Sequence, residues 1–308
     1  MAIERVVALA GGVGGAKLAQ GLAQILPPTS LKIIVNIGDD FRHYGLQICP
    51  DLDTVMYTLS GQANSQTGWG VKDESWATLG MLQTYGEAPW FRLGDKDIAT
   101  HLIRSSRLAA GHRLTDITHD LSRALGVGPA LLPASDDPLA TMLETDTQGT
   151  LNFQEYFVRH RWQPPVKRIW YEGAATARPS PEVLAALEEA QALVICPSNP
   201  LLSIDPILAI GGLSEIIRER KYPSLAVSPL IGGKAVKGPA DKLMTELGYD
   251  PSTTGLLDYY AGLIDVLVVD SGEAPLRDER IRTAPTLMQT ESDRAALAKQ
   301  VLTFLGDW

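Results

Sequence analysis

Four carboxylates fall within 15 positions in two short runs, Asn36-Ile-Gly-Asp-Asp40 and Pro50-Asp-Leu-Asp-Thr54. Acids so close together repel a phosphorylated ligand unless a cation intervenes. Mg2+ is held in this way, by one or two carboxylates plus phosphate oxygens. Asp40 and Asp53 are the pair expected to hold a metal ion or to activate a hydroxyl. Asp51 and Asp53 also precede an apolar stretch, Val55 to Leu59. Capping of that helix accounts for one acid but not comfortably for all four.

Three further loops carry chemistry. Gly11-Gly-Val-Gly-Gly-Ala-Lys17 would let the backbone approach a phosphate or sugar, with free N–H groups at the start of a helix. It lacks the Gly-Lys-Ser/Thr ending of a Walker A loop, and Lys17 stands where a dinucleotide fingerprint needs its third glycine. Tight packing is the alternative use of these glycines. Cys196-Pro-Ser-Asn-Pro200 presents Ser198 and Asn199 between two prolines, as neutral hydrogen-bonding groups or as an Asx-type turn. Ser228-Pro-Leu-Ile-Gly-Gly-Lys-Ala-Val-Lys-Gly238 places Lys234 and Lys237 in a glycine-rich loop suited to anions. Gly68-Trp69-Gly70 could receive a flat ring or be a packed loop. Asp95 could join a site or cap a helix.

The elements that must position these loops follow from periodicity. Arg5 to Ala10, Lys32 to Asn36, Ala192 to Cys196, Ser224 to Ser228 and Asp265 to Val269 read as buried strands. Ala16 to Leu26, Pro181 to Ala190, Ser203 to Arg220 and Glu291 to Leu305 read as helices. The opening strand–loop–helix–strand spells a βαβ unit and hence a parallel sheet. The expected fold is therefore α/β and Rossmann-like, its core formed by residues 1–69 and 166–308. Residues 70–165, with helix-like stretches Asp97 to Leu108 and Thr115 to Leu125 and a strand-like Thr150 to His160, read as an inserted, mostly helical cap. Ligands of such sheets bind beyond the carboxyl ends of the strands, where the motifs fall.

The bulk numbers narrow the class. A net charge of −9 argues against a chain that grips nucleic acid or anionic lipid. Two cysteines, Cys49 and Cys196, stand alone, so neither a zinc knuckle nor a disulfide framework is indicated. No basic leader precedes an apolar run, and no window approaches 18 apolar residues. A reduced cytoplasmic protein without membrane association is the expectation. No Gly-x-Ser-x-Gly elbow is present, which speaks against a serine hydrolase.

In order, these motifs, with Leu93-Gly-Asp-Lys-Asp97 and Phe153-Gln-Glu-Tyr-Phe-Val158, resemble the 2-phospho-L-lactate transferase family of coenzyme F420 biosynthesis. The resemblance runs from about residue 5 to 272. It implies a Rossmann-like homodimer that needs Mg2+. Its donor would be a lactyl or enolpyruvyl acid linked to guanosine diphosphate, and its acceptor the deazaflavin Fo. The terminal ribityl hydroxyl would attack the phosphorus next to the three-carbon acid, and GMP would leave. Mapped by that resemblance, Asp40 and Asp53 hold Mg2+ or orient the hydroxyl. Gly12, Gly14 and Gly15 approach the donor. Lys234 offsets diphosphate charge, and Ser198, Asn199, Gly233 and Lys237 hold the nucleotide. Trp69 lines the deazaflavin pocket, and Lys17, Asp51 and Asp95 join the binding residues. One departure is Val13, near which many relatives carry a threonine or similar polar residue.

Two rivals remain. A non-catalytic nucleotide-sugar binder of the same superfamily shares the glycine loop and the Asp-Asp pair, and would bind a UDP-sugar without turnover. A nicotinamide-dependent oxidoreductase is opposed by the imperfect glycine fingerprint and by Asn36, which replaces the ribose-binding acid.

Overall fold

The computed structural model describes residues 3–64, 68–273 and 278–307. The chain opens with β1 (Val6–Ala10), α1 (Gly12–Ile25) and β2 (Leu31–Val35). All five residues of β1 are buried, the pattern of a strand covered on both faces. A hairpin follows, β3 (Phe41–His43) paired with β4 (Leu46–Ile48), and leads into α2 (Pro50–Leu59). Its turn uses Tyr44 and Gly45, both with positive φ, the backbone type that matches strand twist. The hairpin brings Asp39 at its entrance back beside Asp51 at its exit.

Three helices come next, α3 (Ala77–Thr84), α4 (Asp95–Ala109) and α5 (Leu114–Ala124). After β5 (Ala130–Pro133), the strands β6 (Ala140–Thr145), β7 (Gly149–Asn152) and β8 (Val166–Glu172) form a separate antiparallel sheet ordered β7-β6-β8. The span 70–165 is thus of mixed make-up. It holds helices as expected, but β5 pairs with β2 and belongs to the central sheet. The segment expected as a strand over Thr150 to His160 is extended only through Asn152; Glu155–Arg159 winds into a wide helical turn. Its apolar residues satisfied both periods over so short a stretch.

The second half restores the α/β alternation with α6 (Pro181–Glu189), β9 (Ala192–Ile195), α7 (Asp205–Ala209), α8 (Leu213–Arg218) and β10 (Ser224–Val227). The helix expected over Ser203 to Arg220 is therefore two, broken at Gly212, whose φ of 86° no helix accommodates. A small hairpin of β11 (Leu230–Ile231) and β12 (Lys234–Ala235), then α9 (Ala240–Glu246) and α10 (Thr253–Tyr259), lead to β13 (Val266–Asp270), β14 (Ile281–Ala284) and α11 (Glu291–Gly306). Thr290 and Asp293 form a reciprocal capping box at the start of α11.

The central sheet has seven parallel strands in the order β14-β13-β10-β9-β1-β2-β5. This is the Rossmann-like α/β architecture read from the sequence. The chain builds outward from β1 to β2 and β5, then returns to β9 and builds the other way. The reversal falls between β1 and β9, and a crevice opens there beyond the strand ends. Helix α1 covers this region and lies against α11 so closely that a Cβ at Gly21 would sit 2.2 Å from the Arg294 carbonyl oxygen. Among the described residues, no helix is long and apolar enough to cross a membrane.

Candidate active site

The crevice at the β1/β9 reversal is a cavity of about 480 Å³. Its floor is the Gly11–Gly14 turn, Pro197, Ser198 and Asn199, and its cap side is aromatic, with Trp69, Trp90, Phe91, Phe153 and Phe157. The two floor loops are stitched together. The Gly11 N–H donates to Ser198 Oγ at 3.2 Å, and that hydroxyl donates back to the Gly11 carbonyl at 2.9 Å. Asn199 accepts from the N–H groups of Leu201 and Leu202, an Asx-type turn that starts the next helical segment.

The glycines serve close packing as much as ligand approach. A Cβ at Gly14 would lie 2.2 Å from the Pro197 carbonyl oxygen, and one at Gly15 would lie 2.5 Å from Ser198 Oγ. Gly12 has φ +64°, and its N–H donates to Asp51 Oδ1 at 2.6 Å. One donor at the helix start is thus already committed. Gly14→Ala is expected to push α1 off the Pro197 loop and cost about 1–3 kcal/mol, the range for overpacking. A melting curve beside a substrate-affinity titration checks this, since the displaced loop lines the cavity.

Two carboxylates of the four face the cavity, Asp39 and Asp51. Asp51 accepts from Gly12 N–H and from Asn36 Nδ2 at 2.9 Å. Asp39 accepts from Asn36 Nδ2 at 3.3 Å and from Gln154 Nε2 at 3.3 Å. Burial pushes the Asp51 carboxyl up to about 6, with the Asn36 and Gly12 hydrogen bonds pulling the other way. Burial raises Asp39 further, and the charges of Asp51 and Asp40 add to it.

Asp40 and Asp53 lie outside the cavity lining. Asp40 bonds to the buried Cys49 and keeps one carboxylate oxygen, Oδ1, without a hydrogen-bond partner. Asp53 is engaged through both oxygens by the fully buried Arg104 of α4. His101 lies 3.6 Å from Asp53 and 3.3 Å from Asp97, which also accepts from Tyr57 Oη at 2.8 Å. Asp53, Asp97 and His101 are close enough to share a cation. Arg104 already supplies positive charge at that point, so the acids are paired within an ion-pair network, although His101 Nε2 and Arg104 Nε keep no hydrogen-bond partner.

Two lysines line the same cavity. Lys17 Nζ donates to the Met288 carbonyl at 2.8 Å, and burial together with Arg294 and Lys237 lowers its pKa. Lys237 is exposed, its pKa lowered by desolvation from the surrounding protein, with Nζ beside Gly68. Lys234 is also exposed and pairs with Asp241 at 3.2 Å, and Gly233 sits in the turn beside it. Asp95 accepts from Ser75 Oγ and the N–H groups of Ala77 and Thr78, capping α3. The structure therefore brings Gly12, Gly14, Lys17, Asp51, Trp69, Ser198, Asn199 and Lys237 to the cavity. Gly15, Asp40, Asp53, Asp95, Gly233 and Lys234 stand away from it. Asp39, Gln154 and Arg104 are the residues that sequence reasoning did not single out.

One support of the floor titrates. Asp205, after the Ser198-Asn199 loop, accepts from Tyr259 and from Tyr171, which also donates to the Leu201 carbonyl at 2.7 Å. Burial raises the Asp205 carboxyl to about 6, with the two phenols opposing. A carboxyl whose folded pKa exceeds its unfolded value stabilises the fold below pH ~4 and loses that contribution as pH rises through 6. Asp205→Asn keeps the acceptor and removes the charge. Relative to wild type it is expected to gain stability between pH 4 and pH 8, by about 3 kcal/mol at most. Urea unfolding at the two pH values measures this.

The parallel α/β sheet opens a carboxylate- and lysine-lined cavity at its switch point, the place and chemistry of a small-molecule site. The model of the family described as 2-phospho-L-lactate transferase CofD matches residues 6–306, and the chain belongs to this family. It is an enzyme, a transferase. It is 40% identical over 309 residues to a protein of Streptomyces griseus named phosphoenolpyruvate transferase, with 97% of each chain covered. It is 42% identical over 310 residues to a protein of the same name from Kitasatospora aureofaciens, again with 97% of each covered. Its fold is similar to that of solved protein BH3568 from Bacillus halodurans, with TM-score 0.66 and 17% identity, covering 97% of this chain and 99% of that one.

Proposed function

We propose that this chain transfers a phosphoenolpyruvyl group, or its phospholactyl counterpart, from a guanosine diphosphate-linked donor to the terminal hydroxyl of deazaflavin Fo. The observation that carries the reading is one cavity lined by two carboxylates, two lysines and several aromatic rings. The relatives' name, phosphoenolpyruvate transferase, favours the enolpyruvyl donor.

The acceptor oxygen attacks the phosphorus next to the three-carbon acid. The bond from that phosphorus to the bridging oxygen breaks, and GMP leaves with the bridging oxygen. The hydroxyl proton passes to a carboxylate oxygen of the Asp39–Asp51 pair. A primary alcohol is a poor nucleophile at neutral pH, so a carboxylate within reach of its proton has a purpose. Lys17 and Lys237 oppose charge building on the diphosphate. The aromatic side suits the flat deazaflavin ring, with Trp69 at its edge.

The donor set fits Mg2+. Asp39 and Asp51 are hard oxygen ligands bridged by Asn36; burial and the Asp51 charge raise the cost of ionising Asp39, and a cation offsets that cost. In this reading they take the metal role expected of Asp40 and Asp53, which stand one layer behind. When bound, Mg2+ supplies charge neutralisation at the transferred phosphate. The homodimer implied by the resemblance belongs to the same proposal.

The test is turnover with Fo, Mg2+ and each guanosine donor, read by mass spectrometry. A deazaflavin carrying one phosphorylated three-carbon unit, with GMP released, supports the reading and chooses the donor. Folded protein that binds a UDP-sugar and turns over no donor replaces it with the regulatory binder.

A further inference from the structure

Asn36 directly follows β2, at the place where dinucleotide-binding sheets carry an acid for the ribose. Here the residue is fully buried and turned toward protein. Its Oδ1 accepts the Gly38 N–H at 2.7 Å, which fixes the orientation of the amide. The reversed amide would set its oxygen against two carboxylates and its NH2 against an N–H donor. In the orientation observed, Nδ2 faces Asp51 Oδ2 at 2.9 Å, the Leu202 carbonyl at 3.2 Å and Asp39 Oδ1 at 3.3 Å. Three acceptors share two hydrogens.

The remaining oxygens of the pair are held from outside. Asp51 Oδ1 takes the Gly12 N–H, and Asp39 Oδ2 takes the Gln154 amide. Among the described residues, Asn36 is thus the one that bonds to both carboxylates. Two like charges in a buried wall move apart unless something between them donates to both. A lysine at this place would neutralise the pair and remove its attraction for a cation. An amide donates without neutralising.

We propose that Asn36 is a positioning residue that holds Asp39 and Asp51 as a single two-carboxylate ligand set, and that binding of a divalent cation in the cavity depends on it. The inference rests on the metal reading given above. It replaces the picture of position 36 as a vacated ribose acid. Partners one shell out from a metal cost roughly 10–100-fold in affinity or activity when removed.

The experiment is direct Mn2+ titration of the full chain by electron paramagnetic resonance, alongside melting temperature. Asn36→Leu removes the donors at similar size. Asn36→Ser is the gentler variant, since its short hydroxyl cannot bridge both acids, and it carries the test should the leucine variant not fold. The expected result is Mn2+ affinity lowered at least tenfold in a variant that is folded at the assay temperature, with kcat lowered at saturating Mn2+. Folded variants that bind Mn2+ as tightly as wild type overturn the inference and reduce Asn36 to a satisfied buried amide. Wild-type protein that binds no Mn2+, with or without GMP, overturns the metal reading itself and this inference with it.

Discussion

Asp51→Asn is expected to lower turnover by about 10²–10⁴, the span attributed to a lost acid–base group, while leaving the fold intact. The structural cost is small for stated reasons. An asparagine oxygen still accepts the Gly12 N–H that Asp51 Oδ1 accepts now. Its new NH2 faces the Asn36 amide, but that amide retains Asp39 and Leu202 as acceptors. The lost hydrogen bond costs on the order of 1 kcal/mol, and removing a buried charge offsets it. What disappears is the charge that faces the cavity. Steady-state turnover with the enolpyruvyl donor, beside a thermal melt, separates the two effects. A variant with unchanged melting and near wild-type turnover would remove Asp51 from the chemistry.

The acidic cluster was legible in the sequence, but its division of labour was not. Asn36-Ile-Gly-Asp-Asp40 announces a polar turn after a buried strand, and strand alternation does not extend into a turn. Nothing local therefore tells Asp39, which faces the cavity, from Asp40, which turns to Cys49. The same holds for Asp51 and Asp53 in the first turn of α2. Two positions apart on a helix, they point to different sides, one to Gly12 and one to Arg104. Which side is the cavity depends on where α4 packs, a tertiary fact. One signal was available. Asp97, His101 and Arg104 stand at i, i+4 and i+7 of a helix, a stripe of titratable groups where a solvent-facing helix would vary. All three are buried. Such a stripe asks for charged partners on a facing element, and Asp53 and Tyr57 of α2 supply them. Gln154 was hidden differently. It lies in a stretch read as a strand, and only the helical turn over Glu155–Arg159 shows how the segment brings it against Asp39. The parallel sheet itself was plain, because strands buried on both faces are continuous apolar runs. The edge strands β5 and β14 were missed: β5 is a brief apolar run that ends in proline, and β14 carries Arg282 and Thr283 at its centre.

Arg104→Met is expected to destabilise the chain by about 3–5 kcal/mol, the cost of leaving one partner of a buried ion pair alone. The argument rests on what remains. Arg104 is fully buried, contacts both oxygens of Asp53, and lies 3.1 Å from His101 Nδ1. Without it, Asp53 stands near Asp97 in a dry setting with only a histidine to share. That loss is a large part of the 5–15 kcal/mol that holds an ordinary domain together. The double variant Asp53→Leu with Arg104→Met removes both charges and is expected to recover most of the stability. Chemical denaturation of the single and double variants measures the coupling. Turnover per folded molecule then decides what Asp53 does. If the double variant refolds and keeps turnover, Asp53 is the anchor that ties α4 of the cap side to α2 beneath the cavity. If it refolds and turnover is lost while Mn2+ no longer binds, Asp53 reaches the metal, and the role expected from its place in Pro50-Asp-Leu-Asp-Thr54 returns to it.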